Sequence, residues 1–367
     1  MTKPAHETFI TIEETLADAV RAIVEAKTQT IADDARAAWD AGKPEQARHI
    51  IDSFTLHGAF DALRPRLVEI ALNAVLFGGS RHKPVHETVW LQDPTVPHDA
   101  EKGADLFITI LERDGAEIVR KRLHRFIDEA TGRTDDQYEL FRKAEMTIDE
   151  FAQRINEVAN GTATAIVDIA ANVSTSRLAS YGFLAQAQED GLTRYQISAV
   201  LDERTCPVCA YMHGKVMDVS AAFDQTQEAL STSDPEELRR IAPWPKQDAA
   251  SLRDLYDMTA DELQDEGYGT PPFHPRCRCI LVPVGEVKDP MSDATAQRQR
   301  DLFGALVEDK PVSSEYDEYD RLAELIAGVA DDATRDVLFT ALDAEEFDLI
   351  EQYFNTGRLP AALKKPA

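Results

Sequence analysis

The only cysteines in this chain fall into two close pairs, Cys206-Pro-Val-Cys209 and Cys277-Arg-Cys279, and His274-Pro275 precedes the second pair. Thiolate and imidazole are the ligands that zinc takes in a tetrahedral shell, with Zn–S bonds of about 2.3 Å. A C-x-x-C turn presents two sulfurs on one side of an ion. A second pair from a distant segment completes the shell and ties the two segments together. A structural zinc ion is therefore the leading reading. A disulfide framework fits poorly with a large chain that lacks a signal-peptide core. A thioredoxin-like redox pair requires C-x-x-C opening a helix in a βαβ unit, whereas here the pair follows one strand-like run and precedes His213-Gly214 and another. Inert cysteines would not be expected to occur only as pairs. The ligand set stays open. Four cysteines rank first; Cys206, Cys209 and His274 with one of Cys277 and Cys279 rank second; His213 is a further candidate.

The elements that must carry these residues are mostly helical. Thr11-Ile-Glu-Glu14 has the spacing of a capping box, followed by Ile12, Leu16, Val20, Ile23 and Val24 at helical intervals, with Gly42 and Pro44 as a stop. Two helices are expected at about 45–53 and 59–77, then a long surface loop over 78–104. A second helical block runs from about 116 to 189. Thr147-Ile-Asp-Glu150 is its second capping box, and Gly161 is expected to kink or interrupt it. The pattern then changes. Residues 195–201 alternate and are β-branched, and 215–219 and 278–284 read as two further strands. Between the last two lies an acidic, partly helical insertion, 220–269, broken by Pro243 and Pro245. Gly214 is expected to take a positive φ in a turn. The tail, 286–367, is acidic and again helical. The fold class is α+β, mostly α-helical, with helical N-terminal and C-terminal blocks around a small zinc-stapled β-sheet. The expected divisions are 1–110, 111–285 and 286–367.

Charge narrows the function. The chain has 367 residues, with 66 acidic against 39 basic and a net charge of −27. A surface that coats nucleic acid must be basic enough to replace counterions, so direct nucleic-acid binding is not expected. The best local basic face, Arg120, Lys121, Arg122, Arg125 and Arg133, is interleaved with Asp128, Glu129, Asp135 and Asp136 and reads as a solvated helix face. No run approaches the roughly 18 apolar residues of a membrane span. Synthesis and folding in a cytoplasm are expected.

Leu201-Asp-Glu-Arg-Thr-Cys-Pro-Val-Cys209, His213-Gly214 and Pro271-Pro-Phe-His-Pro-Arg-Cys-Arg-Cys279 together resemble the phage Mu F-like head morphogenesis domain. The helix with Asn172, Arg177 and Gly182 also resembles that family's approach helix. The resemblance covers about residues 165–285. It implies a minor capsid or head morphogenesis protein of a tailed bacteriophage or prophage, located in the virion. Such a protein acts in procapsid assembly beside portal, capsid and scaffold subunits, with effects on DNA packaging or ejection. Some family members lead toxin modules; the acidic stretch after Val284 carries no catalytic motif, so none is expected here. Asp202 and Arg204 are expected to pair beside the first knuckle, and Arg276 and Arg278 to offset thiolate charge.

Enzyme readings fare worse. A zinc hydrolase keeps an open coordination position and a general base. His6-Glu7 and His86-Glu87 do not continue into H-E-x-x-H. Thr205 stands where a nucleobase deaminase has proline, and no phosphate-binding loop occurs. The expectation is a structural protein, not an enzyme. The alternative is a metal-dependent nuclease built on a zinc ribbon, using His213 or His274.

Overall fold

The computed structural model describes residues 3–81, 95–131, 148–201, 205–246 and 249–285. The expected tail helices, Thr147, Arg133, Asp202 and Arg204 lie outside these residues. Helix α1 (Lys3–Asp40) buries Phe9, Leu16, Val20, Val24 and Ala35 along one stripe. Its end is a Schellman motif: Gly42, at φ 72°, donates its N–H to Trp39 O, and Lys43 donates to Ala38 O. Thr11 does not cap this helix. It lies two turns inside, and its hydroxyl donates back to Glu7 O at 2.9 Å. The T-x-x-E spacing carries no cap when helix already runs upstream of it. A capping box does form at Thr259 and Glu262, opening a short helix in the insertion; the same spacing was there in the sequence.

Helix α2 (Pro44–Asp52) and α3 (Arg64–Ser80), the latter led by a 3₁₀ turn at Asp61–Leu63, follow near the expected positions. The surface loop expected over 78–104 is corrected at both ends. Gly78, Gly79 and Ser80 complete α3, and α4 (Thr95–Ile110) takes in 95–104, while 82–94 lie outside the described residues. A single π-type turn, Leu111–Gly115, joins α4 to α5 (Ala116–Thr131), so residue 110 falls within continuous helical chain.

Helix α6 (Ile148–Glu189) is the axis of the structure. Helices α1 and α3 pack along it, and every residue from Ala170 to Leu184 is buried. Gly161 does not interrupt it. That glycine is exposed with nothing near its Cβ position, and its modest propensity cost is outweighed by packing on either side. Trp39 stacks on Phe151 at 4.2 Å and Phe126 tilts against the same ring. Farther along, α3 and α6 meet backbone to backbone. A Cβ on Gly78 would stand 1.9 Å from Ala179 O, and a Cβ on Gly182 would stand 1.9 Å from Val75 O. Only glycine permits that approach.

Three short strands follow: β1 (Arg194–Ser198), β2 (Val216–Asp218) and β3 (Ile280–Pro283). They form an antiparallel sheet in the order β2-β1-β3, with Gln196 opposite both Val216 and Val282. All three expected strands form: β1 starts one residue earlier and ends at Ser198, and β2 and β3 are shortened at both ends. Gly214 has the expected positive φ, 82°. A short helix, α7 (Pro207–Met212), connects β1 to β2. The insertion is more helical than its sequence indicated, with α8 (Val219–Ser231), α9 (Pro235–Ile241), α10 (Ala249–Asp257) and α11 (Ala260–Asp265). Residues 242–246, around Pro243 and Pro245, are the non-helical break. Ala229, Leu230, Leu238 and Ile241 of this insertion join the main apolar core with α1, α3 and α6.

Candidate metal centre

The two cysteine pairs reach the same place by different local devices. Cys206 is the N-cap of α7. Its sulfur accepts from Cys209 N–H at 3.3 Å, and Pro207 at the first helical position has no N–H to leave unsatisfied. The pair lies between two strands as expected, and it also opens a helix, which the expectation did not include. The neighbouring strands are antiparallel, however, so the parallel βαβ frame of a thioredoxin-like site is absent here.

The second segment, 271–279, runs as irregular chain against the buried end of α6. Cys277 N–H donates to His274 O at 3.3 Å, and Arg276 between them holds φ at 60°. This left-handed conformation is unusual for a non-glycine residue, and it turns His274 and Cys277 towards the same side. Asn172 of α6 steadies the turn. Its Nδ2 donates to Cys277 O at 3.4 Å and to Glu13 Oε2 of α1 at 2.9 Å. Ser180 Oγ reaches Pro271 O at 3.4 Å. Buried Tyr195 of β1 donates to Gly269 O at 2.7 Å. Helix α6 and strand β1 thus hold the distal segment, with α1 bracing Asn172 through Glu13.

Cys209 Sγ lies 3.7 Å from Cys277 Sγ and 2.9 Å from His274 Nε2. Zn–S bonds of about 2.3 Å in a tetrahedron place neighbouring sulfurs roughly 3.8 Å apart, so the sulfur–sulfur distance matches a shared ion. Cys206, Cys209 and His274 form one group whose ligand atoms lie within 4.8 Å of one another; Cys209, Cys277 and Cys279 form another. The two groups share Cys209, so all five residues named from the sequence converge, and the donor set fits a soft-ligand metal. His213 belongs to neither group. Its Nδ1 accepts from Ala199 N–H at 3.0 Å, which ties the end of β1 to the turn before β2.

The protonation pattern shows the same crowding. Hydrogen bonds from Cys209, working against burial, and the charge of His274 lower the Cys206 thiol to about 5. Hydrogen bonds with Cys206, Cys277 and Cys279 push Cys209 up. For Cys277, burial raises the thiol but hydrogen bonds with Cys209 and Cys279 bring it down. For Cys279, a hydrogen bond with Cys209 lowers it, and Cys277 together with burial drives it up. Burial opposes the charge on His274, yet Cys206 raises it to about 9. His274 Nδ1 also donates to Pro275 O at 2.6 Å, which leaves Nε2 as the ring nitrogen facing the sulfurs.

The expected arginine roles divide. Arg276 is exposed, and its charge acts on Glu13, whose carboxyl is raised chiefly by burial and lowered in part by Asn172 and Arg276. On the basic face, Lys121 pairs with Glu117, Arg120 donates to Phe54 O, and Arg122 and Arg125 are exposed. No helix among the described residues is long and apolar enough to cross a membrane.

These features define a class: a knuckle of thiolates and one imidazole, closed by remote segments on a helical support. Residues 144–282 match the family described as Phage Mu protein F like protein, and the resemblance carried by the knuckle motifs holds over that stretch. The match suggests a phage head morphogenesis protein. No curated protein and no solved structure matches the chain.

Proposed function

We propose that this chain is a structural minor head protein of a tailed bacteriophage or prophage. In this reading it acts in procapsid assembly near the portal and depends on a single bound zinc ion. The observation that carries the reading is the meeting of Cys209 and Cys277 sulfurs at 3.7 Å inside the family-matched stretch. Zinc would close the base of the insertion. A three-stranded sheet of this size is marginal alone, and metal binding supplies folding free energy directly. The favoured ligands are Cys206, Cys209, Cys277 and His274, because the His274 tautomer is set and its Nε2 faces Cys209. Cys279 is then the buried neutral thiol beside the ion. Full coordination by protein groups leaves no open position for a catalytic water, which supports an assembly role over hydrolysis. The helices would supply the surface for portal, capsid or scaffold subunits.

Elemental analysis of the purified chain should give one zinc per molecule. Cobalt substitution should give the spectrum of three sulfurs and one nitrogen, and Cys279→Ser should retain the metal that Cys277→Ser loses. Metal retained in Cys277→Ser and lost in Cys279→Ser would overturn this ligand set, and purified protein without zinc would overturn the staple. For the functional reading, a phage lacking this chain should assemble heads defective in DNA content or infectivity. Magnesium- or manganese-dependent plasmid cleavage that disappears in His274→Ala or His213→Ala would instead establish a nuclease.

A further inference from the structure

Where the insertion docks on α6, two buried polar atoms have no hydrogen-bond partner among the described residues. Arg177 of α6 is 8% exposed and its Nε is buried without an acceptor; Gln225 Oε1 of α8 is buried without a donor. Both residues line one partly enclosed cavity of about 10 Å³, together with Thr226, Pro243 and Pro271. A buried polar atom left unpaired is costly, more so when its group is charged, and burial lowers the Arg177 pKa only to about 10, so the guanidinium keeps its charge at neutral pH.

The amide is fixed. Gln225 Nε2 donates to Ile241 O and Gly267 O, both at 2.8 Å, so a flip would set Oε1 against two carbonyls. Thr226 Oγ1 donates to Ala222 O at 2.7 Å and keeps its lone pairs for a further bond. The chemistry of the two orphan atoms defines the occupant. Arginine only donates, so the occupant must accept; an amide oxygen only accepts, so the occupant must also donate. A halide ion cannot donate to Gln225, and a cation cannot accept from Arg177. The cavity has room for the centre of roughly one water-sized sphere, and a buried water requires two to four polar partners.

We propose that this cavity binds one structural water, which accepts from Arg177 Nε–H and donates to Gln225 Oε1. The water joins α6 to α8 beside residues 270–272, which lead into the distal knuckle. The seat of the insertion on α6 is then specified by a polar bridge as well as by apolar packing. The bridge stands or falls independently of the zinc ion.

The test uses the full chain. High-resolution diffraction from crystals grown in sodium bromide should show a water within hydrogen-bonding distance of both Arg177 Nε and Gln225 Oε1. An anomalous bromide peak at that position, no density there, or direct contact between the two side chains overturns the proposal. A double-mutant cycle in denaturant unfolding supplies the solution measurement. Arg177→Met and Gln225→Met should each destabilise the chain, and the double variant should lose less than the two losses added together. The Gln225 Nε2 bonds to Ile241 and Gly267 cancel in the cycle. Strictly additive losses overturn the bridge. If a variant does not fold, the diffraction result on the unaltered chain decides.

Discussion

The crossing of α3 over α6 and the cysteine knuckle beside it are stabilised in opposite ways. At the crossing, Gly78 and Gly182 let two backbones touch, and neighbours such as Ala74, Val75, Leu178 and Tyr181 belong to the main apolar core. At the knuckle, five polar-capable side chains from two remote segments converge over a sheet of three short strands. The helical stack spreads its stabilisation over many apolar contacts, whereas the knuckle, in the proposed reading, would depend on one metal centre. A dispersed core tolerates change gradually, and a metal staple fails all at once.

That contrast can be broken or sharpened by experiment. The largest effect is expected from metal removal. Chelation, or Cys209→Ser, should forfeit an apparent stabilisation on the order of 10 kcal/mol at the knuckle. Hydrogen exchange should then show protection lost over 194–283 and kept in α1 and α3; loss of protection throughout would mean that the two regions are one cooperative unit. Acidification should release the metal in the same way, since protons compete for thiolates and imidazole. Next, Gly182→Ala should cost roughly 3 kcal/mol or more in denaturant unfolding, because its Cβ meets a backbone carbonyl that cannot step aside. Tyr195→Phe strips the donor from buried Gly269 O and should cost about 1–3 kcal/mol; metal affinity measured alongside shows whether the support beneath the knuckle matters to the ion. Thr259→Ala should cost about 1 kcal/mol through the lost capping box. Smallest, and opposite in sign, Gly161→Ala should stabilise the chain by up to about 1 kcal/mol, since the position is open and helical.

Much of the architecture was legible along the chain. The apolar spacing of Leu16, Val20 and Val24 marks a buried helical stripe, and alternation around Tyr195 and Ile197 marks a strand with one face in the core. The boundaries were less legible. Thr11 has a cap's spacing but sits within a helix, and Gly78-Gly79 reads as a helix end although both stay helical and Gly78 is a point of backbone contact. Gly161 and Gly182 look alike in sequence; one faces open space and the other a carbonyl at 1.9 Å. Arg177 belongs to the motif-bearing helix, but nothing local marks it as buried, because its surroundings come from α8 and the 270–272 segment.

The sequence by itself determined the chemistry available: four thiols in two pairs, a histidine beside one of them, helical and strand periodicities, and a strongly acidic balance. Those follow from residue type and short-range spacing, which the chain carries wherever it goes. Only the tertiary structure decided which sulfurs meet, that His274 joins them while His213 binds the end of β1, and which glycines are indispensable. Each of those depends on segments far apart in the chain being held within a few ångströms, and distance in sequence carries no record of that.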